Sequence, residues 1–177
     1  MEMIRAGSVG TVDKSVELYG WEMDDDCDVC DTEWDEKGRT RISHIYVCFD
    51  QIIRSIQFGD LENGALVLSK KYGTSEGYSF QVVKLNQDEY VTGLSGSVAG
   101  CYGPIRNLTF RTNRRTHGPI GHDDNGASPR IEIDPAISDR REFGGFFGSN
   151  SRACLSSIGI YVNPIATSDT AVKRETM

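Results

Sequence analysis

Apolar and polar residues alternate along much of this chain. From Ile42 to Phe49, Ser43, Ile45, Val47 and Phe49 interleave with Ile42, His44, Tyr46 and Cys48, a period of two with one clearly apolar face. Ile53 to Phe58 repeats the pattern after an Asp50-Gln51 turn, and Ala65 to Ser69 and Phe80 to Leu85 follow, separated by the Gly73–Gly77 loop. Tyr90 to Leu94, Ile105 to Thr112, Arg130 to Ile133 and Ile158 to Val162 continue the series. No window of a dozen residues carries apolar positions at helical spacing with caps at both ends. Short strands parted by glycine-bearing turns predict an all-β domain: a sandwich, barrel or prism. The polar, aperiodic stretch from Ala166 to Met177 reads as a flexible tail, leaving residues 1–165 as the domain.

Composition narrows this picture. A chain of 177 residues fits one domain, and at this size roughly 70% of the unfolded surface can be buried without metal or disulfide staples. The 19 glycines, against 5 prolines, imply many tight turns and close backbone approaches. A net charge of −7 repels phosphate backbones, so nucleic acid is not an expected partner. Neither a secretory leader in Met1 to Gly7 nor a membrane-length apolar run is evident. The five scattered cysteines then read as reduced thiols in a cytoplasmic protein, with the nucleus also open to it. For such a protein the sequon Asn107-Leu108-Thr109 is irrelevant.

Several stretches together resemble the jacalin-related lectins. Trp34-Asp35-Glu36-Lys37-Gly38 sits where that family carries an aromatic-Asp-Asp-Gly turn, and Ile42 to Phe58 is similar to its following strand pair. Glu89 to Gly96, Leu108 to Asn113, Gly118-Pro119-Ile120-Gly121, Gly144 to Gly148 and Ile158 to Val162 match further family motifs in order and spacing. The resemblance implies a β-prism of three four-stranded antiparallel Greek-key sheets around a pseudo-threefold axis. It also implies sugar binding without catalysis and without cofactor. The retained leading segment, Met1 to Ala6, places the chain nearer the mannose- and glucose-binding branch than the cleaved galactose-binding one. Family members often pair through prism faces or edges, so a homo-oligomer is consistent with the resemblance.

The resemblance also implies a sugar site at one end of the prism, formed by Gly10, Thr11, Ser151, Arg152, Ala153, Cys154 and Ser156. One wall is a Gly-Gly loop whose second glycine is here Thr11. The other is a Gly-x-x-x-Asp loop whose glycine is here Arg152 and whose aspartate is Ser156. Hydrogen bonds to a carboxylate contribute about 1.5–3 kcal/mol each. Millimolar sugar affinity corresponds to roughly −4 kcal/mol. Losing the carboxylate therefore removes much of the binding and leaves two readings. One is an altered site for mannose-rich glycans. The other is a sugar-dead scaffold for a protein partner, comparable to defence- and stress-linked members of the family.

The remaining constellations carry less. Asp24, Asp26 and Asp28 have the opening spacing of a calcium loop, but Val29 replaces its glycine and Asp35 its final glutamate, so a solvated acidic loop is expected. Cys27-Asp28-Val29-Cys30 lacks the second ligand pair of a zinc site. His44, His117 and His122 share no chelating spacing, and Asn113-Arg114-Arg115 with His117 reads as a solvated basic turn. No nucleophile elbow, phosphate loop or dinucleotide fingerprint is present, so no catalytic residue is assigned.

Overall fold

Strand dominates a computed structural model that describes residues 2–10, 32–74, 77–99, 104–123, 125–126 and 128–164. Its strands are β1 (Ile4–Gly10), β2 (Thr32–Lys37), β3 (His44–Phe49), β4 (Ile53–Glu62), β5 (Ala65–Leu68), β6 (Tyr72–Gly73) and β7 (Ser79–Lys84). They continue as β8 (Val91–Val98), β9 (Ile105–Thr112), β10 (Thr116–Gly121), β11 (Arg130–Ile133), β12 (Phe143–Asn150) and β13 (Leu155–Val162), with a short 3-10 turn at Arg140–Glu142. The acidic stretch with Asp24, Asp25, Asp26 and Asp28, the cysteines Cys27, Cys30 and Cys101, and the tail from Ala166 onward lie outside the described residues.

The strands form three antiparallel sheets, ordered β1-β13-β12-β2, β5-β4-β3-β7 and β10-β9-β8-β11. In the second, β5 and β6 both pair with β4 and act as successive parts of one outer strand. That sheet therefore has four lanes like the others. Along the chain, the second and third sheets share one spatial order: third strand, second, first, fourth, which is a Greek key. The first sheet obeys the same order once its strands are taken as β12, β13, β1 and β2. The two ends of the chain thus complete a single key between them.

Alternation decides what faces inward. Ile45 pairs with Phe58 and Val47 with Ile56, while Leu94 pairs with Phe110 and Phe146 with Ile160. All eight are buried. Phe58, Phe110 and Phe146, one from each sheet, meet at the centre. Phe58 stacks on Phe146 with ring centroids 5.0 Å apart, and Phe110 meets Phe146 edge-on at 6.0 Å.

Trp34 to Lys37 departs from the turn suggested by resemblance. It is strand β2, paired with β12, and the turn comes only at Gly38, where φ is +90°. The reason is packing. Trp34 pairs with Gly148, where an added Cβ would lie 2.5 Å from the indole, so only glycine admits the ring into the core. Trp34 then stacks on Tyr72 at 4.5 Å.

Polar groups close the seams between elements. The Tyr72 hydroxyl donates to Glu36, and Arg39 bridges Glu36 and Asp60 at 2.8 Å each, joining the first sheet to the second. The basic turn predicted at Arg114 to His117 is not simply solvated: Arg114 pairs with Asp88, and Arg115 and His117 face the fully buried Glu89. The Glu89 carboxylate accepts from the Thr112 hydroxyl at 2.5 Å and the Asn86 N–H at 3.1 Å, with His117 Nε2 at 2.7 Å. Burial opposes its ionisation, but these hydrogen bonds outweigh burial and hold its pKa below the usual 4.5.

A carboxyl with a lowered native pKa contributes stability above its unfolded pKa and loses it as pH falls through the native one. The difference in melting temperature between wild type and Glu89→Gln should therefore be full above about pH 5 and shrink steadily at lower pH. Thermal melts monitored by circular dichroism check this. A difference that does not change with pH would remove Glu89 from the acid limb.

Candidate functional site

The end of β1 and the turn between β12 and β13 lie together. Gly10 pairs with Ser157, and its φ of +81° falls in the left-handed region that favours glycine. An added Cβ there would sit 2.1 Å from the Ser156 carbonyl oxygen and 3.1 Å from Ile105 Cγ1. Any side chain would force the two walls apart. Ile105 opens β9, so the start of that strand reaches the same end, a neighbour that sequence reasoning missed.

The 151–154 turn is organised by Ser151. Its hydroxyl accepts from the N–H groups of Ala153 at 3.1 Å and Cys154 at 3.2 Å, and its own N–H donates to the Cys154 carbonyl at 3.0 Å. Arg152 and Ala153 form the exposed tip, Cys154 and Ser156 are half-buried, and Leu155 is fully buried and anchors the start of β13. Beneath the turn the hydroxyls of Ser149 and Ser157 hydrogen-bond at 2.6 Å. The chain from Asn150 to Ser157 contains no acidic residue.

A second support comes from 99 residues away in sequence. Arg54, at the start of β4, donates from Nη1 to the Ala153 carbonyl at 2.9 Å, and its Nε meets Asp50 at 2.9 Å. Burial opposes ionisation of Asp50, but bonds from Arg54 and the Ile52 N–H hold its pKa below the ordinary value. Neither residue carries a sequence signal for this role. Only the arrangement of the second sheet beside the first brings them to the turn.

The structure therefore brings together Gly10, Ser151, Arg152, Ala153, Cys154 and Ser156, while Thr11 lies outside the described residues. Two turn amides that could meet a ligand are engaged with the Ser151 hydroxyl. The Arg152 side chain stands at the rim, and a hydroxyl occupies the position expected of a carboxylate. No group of three or more metal-ligating side chains occurs among the described residues.

Three Greek keys closed around one core define a β-prism domain. Residues 29–161 match the family described as Jacalin-like lectin domain, and the chain belongs to that carbohydrate-binding family. It is 49% identical over 142 residues to Jacalin-related lectin 24 of Arabidopsis thaliana, covering 76% of this chain and 62% of the relative. With Jacalin-related lectin 25 of the same plant it shares 44% over 169 residues, covering 75% of this chain and 54% of the relative. The chain thus spans little more than half the length of these two relatives. Protein RESTRICTED TEV MOVEMENT 1, also of Arabidopsis thaliana, is 35% identical over 137 residues, covering 74% of this chain and 77% of that protein.

Solved structures show the same fold. Wild-type Malaysian banana lectin superposes with a TM-score of 0.66 at 25% identity, covering 92% of this chain and 99% of the lectin. A mannose-binding jacalin-related lectin from Ananas comosus superposes at 0.64 and 22% identity, with 92% and 98% covered.

Replacing Ser151 with alanine removes the acceptor of two turn amides. The variant should lose about 1–2 kcal/mol of stability, and amide exchange at Ala153 and Cys154 should quicken while Leu155 stays protected. Hydrogen exchange read by NMR decides this, and unaltered exchange at both amides would show that the hydroxyl does not hold the turn.

Proposed function

We propose that this chain is a lectin domain of the mannose/glucose type with an altered primary site, binding mannose-rich glycans weakly between Gly10 and the 151–156 turn. The observation that carries the reading is the contact of Gly10 with the Ser156 backbone, which sets the side-chain-free end of β1 beside the β12–β13 turn. Ser156 stands where the family pattern has its carboxylate, and a neutral hydroxyl offers weaker hydrogen bonds to adjacent sugar hydroxyls. Thr11 completes the expected set. Arg152 supplies donors at the rim, where the family pattern has glycine. The Ananas comosus neighbour is described as mannose-binding, and this supports the choice of sugar.

The test is an amide NMR titration of the labelled chain with methyl-mannoside and a mannose oligosaccharide. Saturable shifts at Gly10, Thr11 and around Arg152 and Ser156 are expected. Ser156→Asp should strengthen binding by roughly ten-fold or more, as restoring one charged acceptor implies. Arg152→Ala should change the glycan profile. No shift at tens of millimolar sugar in wild type and in Ser156→Asp would refute the sugar reading.

The relatives named for restricted TEV movement favour a second reading, a jacalin-type scaffold that engages a protein partner in plant defence or stress. Asp24, Asp25 and Asp26, outside the described residues, are the residues we assign to that partner. Neutralising all three should weaken pull-down of the partner, and an undiminished pull-down would exclude the acidic stretch. Under either reading the protein works in the cytoplasm or nucleus, in keeping with the free thiols Cys48 and Cys154.

A further inference from the structure

At the end of the prism away from Gly10 lies a cavity of about 570 Å³, formed by the loops after β2 and β7, the β4–β5 hairpin and the 3-10 turn before β12. That volume is ordinary for a small-ligand site. Strand β4 measures its separation from the 151–154 turn. It starts beside Ala153 with Arg54 and reaches the cavity with Leu61, roughly 23 Å further along an extended strand.

Two guanidinium groups, of Arg41 and Arg140, belong to residues lining this cavity, and none of the lining residues is acidic. In a chain of net charge −7, Arg39, Arg54, Arg111, Arg114, Arg115 and Arg141 each face a carboxylate. Arg41 and Arg140 have no ion-pair partner among the described residues. The acids of the surrounding loops are engaged elsewhere: Asp60 with Arg39, Asp88 with Arg114, Asp139 with Arg141, Glu142 with Ser138, and Glu89 in its own buried network. Strand alternation turns Glu62 to the face opposite Leu61. The half-buried Arg140 is held in place, its Nη1 donating to the Gln87 carbonyl at 2.5 Å, while its Nε is buried without a hydrogen-bond partner. A cation drawn out of water with an unmet donor and no counter-charge is costly. An anion in the cavity supplies the missing charge.

The other walls say what carries that anion. Asn86 and Gln87 line the same cavity, and their exposed side-chain amides have no hydrogen-bond partner among the described residues. Each amide offers both donor and acceptor, which is what hydroxyl groups require. The turn that presents them is fixed by Glu89, whose carboxylate accepts from the Asn86 N–H at 3.1 Å and whose N–H donates to the Asn86 carbonyl at 3.0 Å. Buried Ile42 and Leu85, with exposed Leu61, supply apolar surface. We propose that this cavity is a second binding site, selective for an acidic sugar: a hydroxylated ring bearing a carboxylate or a phosphate. Arg41 and Arg140 take the oxyanion, to which the paired N–H donors of a guanidinium are matched. Asn86 and Gln87 take the hydroxyls, and the C–H face of the ring lies on the apolar surface. No residue is shared with the Gly10 end, so the inference stands whether or not mannose binds there.

The test is an amide NMR titration of the labelled full chain at low salt with trigalacturonate, glucose 6-phosphate, neutral galactose and inorganic phosphate. At least one acidic sugar should give saturable shifts at Asn86, Gln87 and Arg140, weakened by added salt, while galactose gives none there. Comparison of the first two probes distinguishes the carboxylate from the phosphate. Arg41→Gln alters an exposed side chain with no ion pair in the protein and should weaken binding roughly ten-fold. Arg140→Lys keeps the charge but loses the planar fork, and should also weaken binding with an unchanged far-UV spectrum. No shift at these residues with either acidic sugar at tens of millimolar would overturn the proposal. So would equal shifts with galactose, inorganic phosphate binding as tightly as both acidic sugars, or an affinity unchanged in both variants. Methyl-mannoside shifts at Gly10 are read separately, so failure of one site leaves the other standing.

Discussion

The pairing of β1 with β13 is the constraint on which the rest of the structure depends. The N-terminal strand must travel to the C-terminal hairpin to complete the first Greek key, and it is held there by a ladder from Ile4–Val162 to Gly10–Ser157. That ladder places β12 and β13 firmly enough for Phe146 to meet Phe58 and Phe110 at the centre. At its far end it presses Gly10 against the Ser156 backbone. Closing a key between the two ends of a chain is an entropic demand, because the contacts are as distant in sequence as the fold allows. The burial of one large aromatic ring from each sheet is what offsets it.

Apolar contact alone would let the sheets slide, and the polar seams remove that freedom. Tyr72, Glu36, Arg39 and Asp60 join the first sheet to the second, and Glu89 gathers Thr112, His117 and the Asn86 amide at one end of the third. Groups taken out of water this far are costly unless satisfied, so each network tolerates one arrangement of its sheets. Arg54 does the same for the candidate site. Its guanidinium holds the Ala153 carbonyl on one side and is itself fixed by Asp50 on the other.

These constraints bear on function through what they leave unmet. The 151–154 turn satisfies two of its amides with the Ser151 hydroxyl and contributes no carboxylate. What it offers a ligand is therefore neutral hydroxyls, backbone and the Arg152 side chain. The opposite half of the second sheet is unmet in another sense. β5 leaves both its leucine faces and its outward backbone groups to solvent, while the outer face of the first sheet covers its aromatic rings, Phe147 and Tyr161, with Arg5.

Much of the strand inventory was legible in the sequence, because a two-residue period with one apolar face has no other stable form: Ile42 to Phe58, Tyr90 to Leu94 and Ile105 to Thr112 all lie on or against strands. The glycine-rich strands β1 and β12 carry little such period, since glycine marks neither face, and only the resemblance pointed to β12. Trp34 was read as part of a turn because its partner, Gly148, lies over a hundred residues away and only their meeting explains a tryptophan there. The residues of the candidate site were nameable in advance, yet their state was not. That the Ser151 hydroxyl occupies its own turn, that Arg54 and Asp50 brace it, and that Ala65 to Leu68 form an exposed edge all depend on sheet order. The sequence by itself determined local conformation and which faces are apolar, since those follow from neighbouring residues. Tertiary structure alone decided which distant groups meet and which edge stays open, because long-range pairing is set by the closure of the whole prism and by no local run of residues.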